Sequence, residues 1–537
     1  MCIEDVDLFS AQILGNNMRT ISNEIELTLI RAAYSSVIKE SFDCSAAVLG
    51  ADFRFWGQAD AIPLQMGVLS QAAQSMVREY RESLGEGDVL LTNDPAMGAP
   101  HLNDFLCVAP VRIDGATLAY VATIAHFTDV GGKVPGSMPA DSTDLFQEGF
   151  RLPPTLIVRG GQVDERILAI LCANTRTPVN LEADLRAELA ACALGVTRLR
   201  ETIERHGAGR TLSAMERYLA HSERLGAGRL RALVPGVYRA SRRIDNQRPD
   251  DDSPPAVVAA AVTVTDQQVI VDFSDSSPQV ERPINVVPSN GYSAALCALR
   301  GILGSDVPFN GGIQRLLTTT CVEGSLMNPV TPAPVAARAL VAALAFECVL
   351  DALSQAAGDE GAASSSGGTT MPYVWAPDPL PGEAASIMVD NSLTGGSGAR
   401  AGRCGVDAVE NAVTNAVNVP AEMLEAEFPM LVERYEIRHG SGGPGRWAGG
   451  SGMRRVVRFL RPGTLSIRGH GMQNPPVGKA GGGDGAASRF TIIREGEELN
   501  LPGLLSGFRV QAGDLFIAET PGGGGYGAPQ NEKRRED

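Results

Sequence analysis

Aromatic residues are scarce, at 5% of 537 residues. Any core must therefore be built from aliphatic side chains and alanine, because hydrophobic residues still make up 44%. Positive charge is also short: 46 Lys+Arg face 62 Asp+Glu, a net −16. Such a surface repels phosphate backbones, so no nucleic-acid partner is expected. The nine cysteines have no paired spacings, which excludes a disulfide framework and a zinc-finger set. The segment Met1–Ser10 carries acids and no basic stretch, so no secretory leader is expected. No long apolar run is free of charge. The longest, Ala333–Leu353, contains Arg338, Glu347 and Asp351, which predicts a packed core helix and no membrane span. A soluble, cytoplasmic protein follows as the expectation. There is no P-loop, no kinase signature set, no G-x-S-x-G elbow and no repeat of fixed period. If ATP is used, another chain is expected to bind it.

Glycine is abundant, with 60 residues, and implies many turns and loops. Leu14, Met18, Ile21, Ile25, Leu29 and Ala32 recur at helical spacing, and Gln65–Tyr80 repeats the pattern. Asp43–Leu49, Asp52–Trp56, Val89–Thr92 and Leu118–Ala125 read as short strands. Asn180–Leu233 is helical in composition, with breaks predicted at Gly207 and Gly226. The stretch 247–255 (QRPDDDSPP) reads as a surface loop or seam, and 261–273 as a hairpin. Glycine clusters at Gly395–Gly405, Gly440–Gly452, Gly478–Gly485 and Gly522–Gly527 predict a turn-rich β region. The fold class expected is mixed α and β and multidomain. Its parts are helical N-terminal segments, an α/β stretch with the metal-site motifs, and a β-rich, glycine-punctuated C-terminal region. The expected divisions are 1–246, 247–400 and 401–530, with a frayed tail at 531–537.

Histidines number only six. His101 and Asp104 fall three apart in a run of turn-formers after a strand, on a loop or a first helical turn. His126 ends a strand and runs into Asp129-Val130-Gly131-Gly132. Imidazole and carboxylate together suit Zn, Mn, Fe or Ni better than Ca or Mg. Two loop histidines bonded to nearby backbone account for the same spacing. His206 and His221 fit a solvated helix face, and His439 and His470 fit glycine turns. Gly395–Arg400 fits either an anion cradle or plain turns. Cys44 and Cys107 fit buried, inert thiols.

The order of polar motifs resembles the hydantoinase B/oxoprolinase family. The most specific stretch runs from Asn93-Asp94-Pro95 and His101-Leu102-Asn103-Asp104 through Ala125–Gly132 to Pro135–Pro139 and Gln147–Pro154. Phe42–Ser45, Val271–Ser274, Asn328-Pro329, Ser441–Gly443 and Pro521–Gly527 extend it along the chain. The resemblance implies the metal-bearing subunit of an ATP-dependent cyclic amide hydrolase. The implied ligands are His101, Asp104 and His126, with Asp43 as a further one, holding Zn or Mn. The implied reaction is attack by metal-activated water on a substrate phosphorylated at its carbonyl. A hydantoinase A-like ATPase subunit would supply ATP and Mg, most simply as a hetero-tetramer with two of each subunit. Asp129 and Glu148 are the candidate catalytic side chains. Asp129 could orient a ligand, act as a base, or cap a turn, and Arg151 could bind an anionic intermediate or pair with an acid. The alternatives are a subunit of an acetone- or acetophenone-type carboxylase and a non-catalytic scaffold for the ATPase. Gln65 departs from the histidine common in the family, and His439 and the segment 470–476 are also unusual.

Overall fold

The computed structural model describes residues 6–80, 83–245, 254–358, 361–368, 370–377, 386–389 and 393–529. The tail 531–537 and most of the 247–255 seam lie outside them. The chain is a mixed α and β protein with ten α-helices and four sheets among the described residues.

The first sheet is built from β1 (Cys44–Gly50), β2 (Phe55–Gln58), β3 (Val89–Thr92), β4 (Asp104–Ile113), β5 (Ala116–His126), β6 (Thr155–Arg159) and β7 (Gln162–Val163). Its order is β2-β1-β5-β4-β3-β6-β7, and every neighbouring pair is antiparallel. Both faces are covered, which explains why its strands read as continuous apolar runs. Ala46, Val48, Ala119 and Val121 face one core with the Leu8–Ala32 helix. Ala47, Leu49, Tyr120 and Ala122 face another, with the Pro63–Arg78 and Arg338–Ala356 helices. The period-2 alternation thus sorts one strand into two cores. Arg338–Ala356 is the one described helix long and apolar enough to cross a membrane, and most of it is buried.

A second sheet, 236–320, contributes to the core of that second face, and its Val257–Val264 and Val269–Asp272 strands form the expected hairpin. A third joins Ser386–Val389, Met371–Ala376, Gly463–Arg468 and Leu504–Val510, and a fourth spans 430–519. The helical stretch near 200 breaks at Gly207 only. Gly226 stays inside the Ala208–Leu230 helix, where a Cβ would meet the Leu316 side chain at 2.4 Å.

The C-terminal region is rich in β structure as expected, but most of its clustered glycines serve close packing rather than turns. Segments near 364, 397, 406, 443–450, 477–485 and 521–526 lie side by side and hydrogen-bond across segments. Gly450 N donates to Ser397 O (2.9 Å), Gly523 N to Gly450 O (2.8 Å) and Ala399 N to Gly524 O (2.9 Å). Most of these glycines have ordinary backbone angles; what requires glycine is proximity. A Cβ on Gly396 would stand 1.9 Å from Gly450 O, and one on Gly398 1.8 Å from Ala363 O. The Gly395–Arg400 amides are spent on this packing: Gly396 N donates to Pro521 O and Ser397 N to Val406 O. They form no anion cradle.

One buried acid makes stability depend on pH. Burial, aided by the Asp60 carboxylate, pushes Glu26 up from 4.5 to about 7. The folded chain therefore binds this proton more tightly than the unfolded one. Its contribution is complete below about pH 4.5 and is lost as pH rises through 7. Glu148 and Glu347, also pushed up to about 7 by burial, act in the same sense. Glu26→Gln is expected to flatten the fall in melting temperature between pH 5 and 7; an unchanged slope would contradict this assignment.

Candidate metal centre

Strand polarity assembles the candidate site. β5 lies between β1 and β4 and is antiparallel to both, so the end of β5 meets the starts of its neighbours. His126 is the last residue of β5, Asp104 the first of β4, and Asp43 immediately precedes β1. Asp104 and His126 are direct register partners, and His126 N donates to Asp43 O at 3.0 Å. His101 joins through a β-turn in which Asp104 N donates to His101 O at 3.1 Å. This corrects the helical-turn alternative. The apolar and β-branched residues after Asp104 favour a strand, and a β-turn brings residues three apart together equally well. Two asparagines fix the loops around it. Asn93 Nδ2 donates to Leu102 O and Phe150 O, and Asn103 Nδ2 to Phe127 O and Gly136 O.

His101 Nδ1 stands 3.0 Å from Asp104 Oδ2, and His126 Nδ1 3.4 Å from Asp104 Oδ1. One ligand atom from each of these three residues lies within 4.8 Å of the others. All three are buried, yet none of His101 Nδ1, His101 Nε2, His126 Nε2 and Asp104 Oδ1 makes a well-aligned hydrogen bond. Buried polar atoms are normally satisfied, so four such atoms in one cluster mark a place for a ligand. Burial, with the Arg338 guanidinium, pushes His101 down to about 3. Burial opposes ionisation of Asp104, but His101 and Arg338 outweigh it and hold its carboxyl well below the usual range. Neutral imidazole and ionised carboxylate are the states that a divalent transition metal requires, so the residues fit the ion.

Asp43 stands further off, its Oδ2 3.9 Å from His126 Nδ1, and accepts a 2.7 Å hydrogen bond from Gln65 Nε2. Asp129 is turned to its own loop. Its carboxylate accepts from Gly131 N, Gly136 N and Arg176 N, and pairs with Arg176 Nη1 at 3.0 Å. Glu148 accepts from Ser142 Oγ, Val335 N and Ala336 N, just before the Arg338–Ala356 helix. Neither contacts the histidines through these bonds. Arg151 lies 3.8 Å from Asp94. His439 is exposed, whereas His470 is buried and lines a separate cavity with Glu347 and Arg242. Burial drives the Cys44 and Cys107 thiols well above their ordinary range, as inert thiols require.

Sequence reading missed two arginines and an asparagine. Arg338 Nη2 donates to Asp104 Oδ2 at 2.9 Å. Arg338, Arg468 and Asn290 line a cavity of about 70 Å³ together with Asp43, Gln65 and His126. Their only sequence signal was Arg338, a charge inside an apolar run.

Residues 7–529 match the family described as Hydantoinase B/oxoprolinase. The B-type subunit of a putative D-/L-hydantoinase from Pseudomonas sp. (strain NS671) is 29% identical over 98% of this chain and 91% of its own. A 5-oxoprolinase of Dictyostelium discoideum is 26% identical over 97% of this chain, which spans only 40% of that protein. The crystal structure of the ATP-dependent caprolactamase from Pseudomonas jessenii superposes with a TM-score of 0.89 at 26% identity, covering 98% of this chain and 92% of that one.

Proposed function

The chain belongs to the hydantoinase B/oxoprolinase family, and we propose that it is the metal-bearing subunit of an ATP-dependent cyclic amide hydrolase. The observation that carries this reading is the buried His101–Asp104–His126 cluster with its four ligand atoms that lack a well-aligned hydrogen bond. These three residues, with Asp43 as a further ligand, would hold a divalent transition ion, Zn or Mn. Bound there, such an ion supplies a Lewis acid and lowers the pKa of water.

The chain's own residues set the conditions for that chemistry. Arg338 keeps Asp104 ionised, and Gln65 fixes the rotation of the Asp43 carboxylate. Ile62, Leu64 and Ala343 give the cavity an apolar wall that limits water. Asp129 and Glu148 serve as positioning residues. Asp129 ties the loop after His126 to Arg176, and Glu148 ties the loop after Pro139 to the approach to Arg338. A cyclic amide is a poor electrophile until its resonance is broken, and phosphorylation of its oxygen does that. ATP and Mg belong to a hydantoinase A-like partner, most simply in a hetero-tetramer with two of each subunit. The coverage of relatives supports a partner: this chain corresponds to nearly all of the separate B-type chain of a hydantoinase but to 40% of a 5-oxoprolinase.

Reconstitution with the ATPase subunit tests this reading. Ring opening of a hydantoin, oxoproline or lactam, coupled to ADP formation and requiring both chains, is the expected result. A requirement for a ketone and bicarbonate would place the chain on the carboxylase branch instead.

A further inference from the structure

Arg468 is a buried cation that makes no direct ion pair among the described residues. It ends the Gly463–Arg468 strand, is 3% exposed, and pairs in register with Met371. Its Nη1 donates to Ala336 O at 2.8 Å and lies 3.7 Å from Met138 Sδ. Its Nη2 faces the Met371 thioether, and its Nε has no partner. The Tyr373 ring lies 5.9 Å from the guanidinium carbon. No carboxylate among the described residues lies within ion-pair distance. Two arginines with carboxylates to hand differ: buried Arg338 pairs with Asp104, and half-buried Arg242 with Asp351 and Glu347. Burying a charge is expensive unless it is paired, so a guanidinium left this way is completed by something from outside the chain.

The cavity that Arg468 lines supplies a second unpaired group. Asn290 is fully buried, and neither its Nδ2 nor its Oδ1 has a partner. The same cavity is lined by Asp43 and His126. Its lining thus holds groups suited to a cation as well as groups suited to an anion. A planar guanidinium fork and an amide N–H₂ match the oxygens of a phosphoryl or carboxyl group.

We propose that Arg468, with Asn290, binds the oxyanion of the activated substrate, the phosphoryl group carried on the former amide oxygen. This rests on the reading of the His101–Asp104–His126 cluster as the reaction centre. A carboxylate borne by the ring is the other source of the same chemistry, and the test separates the two.

Inorganic phosphate is titrated calorimetrically into the full-length chain and into Arg468→Met and Arg468→Lys, with acetate as a second probe and metal content measured on each protein. The expected result is one saturable phosphate site per chain, weakened about tenfold or more in Arg468→Met and less in Arg468→Lys, which keeps the charge without the fork. Metal content stays unchanged. Arg468→Met melts no lower than wild type in phosphate-free buffer, and its melting temperature no longer rises with phosphate. No phosphate binding to wild type, or equal binding to Arg468→Met, overturns the proposal. Acetate bound where phosphate is not overturns the phosphoryl assignment. Should Arg468→Met not fold, Arg468→Lys decides, and phosphate binding as tight as wild type overturns it. Arg468-dependent phosphate binding in a chain that holds no metal sinks the reaction-centre reading and leaves the oxyanion site standing; metal without phosphate binding does the reverse.

Discussion

His126→Ala is expected to strip the purified chain of transition metal and to lower reconstituted activity far beyond 100-fold. Removing a residue that only supports a ligand costs about 10–100-fold, so a ligand itself should cost more. The argument is geometric. His126 is the one histidine in register with Asp104 and bonded through its backbone to Asp43, so its ring joins the two carboxylates. Alanine keeps the β5 backbone and removes only the imidazole. Metal content by mass spectrometry is read beside turnover, and complex assembly by gel filtration. Wild type with about one metal per chain, and a variant with none, is the expected pair. A variant that assembles with the ATPase and keeps full activity would make this chain a scaffold. A wild type without metal, even when expressed in medium supplemented with Mn or Zn, would end the metal reading.

Gly523→Ala is expected to destabilise the fold by about 3 kcal/mol or more, the upper range for forcing extra volume into a packed interior. The new methyl would meet Ser397 O at 2.0 Å, Ser397 C at 2.3 Å and Gly398 N at 2.7 Å. All three are backbone atoms, with no side chain to rotate away. Gly228→Ala is the control. Gly228 lies in the Ala208–Leu230 helix, nothing stands within 4 Å of its Cβ position, and alanine favours a helix by about 1 kcal/mol. Thermal melting should therefore move in opposite directions for two substitutions of the same kind. Equal shifts would mean that the glycine bundle tolerates a side chain.

Local pattern made much of this molecule legible. The Leu8–Ala32 helix rests on periodicity, β3, β5 and the core helix near 340 on apolar runs, and the hairpin near 265 on alternation about a turn. Legibility stopped wherever distant segments meet. Arg338 is read locally as a charge that breaks an apolar run, while its partner Asp104 is 234 residues away. Arg468 ends an ordinary short strand, and nothing beside it announces the cavity. The glycine clusters show the same limit. Abundant glycine is visible in sequence, but whether it serves a turn or a close approach depends on which backbone lies opposite. Asp129 next to a glycine turn left open a cap, a base and a ligand-orienting acid. Arg176, 47 residues on, supplies the partner that the local sequence could not.

Burial of the cluster also has a kinetic side. His101, Asp104 and His126 are 1%, 0% and 2% exposed. An ion held among them would be largely shielded from solvent by the surrounding strands, and its release would be favoured when that structure opens. Such openings are rare when they involve core strands. Exchange would then be slow compared with a purification. The metal found in the isolated chain would record the ions available while it folded, and buffer additions afterwards would change it little. Growth medium, more than dialysis, would be the experimenter's control over which ion occupies the site.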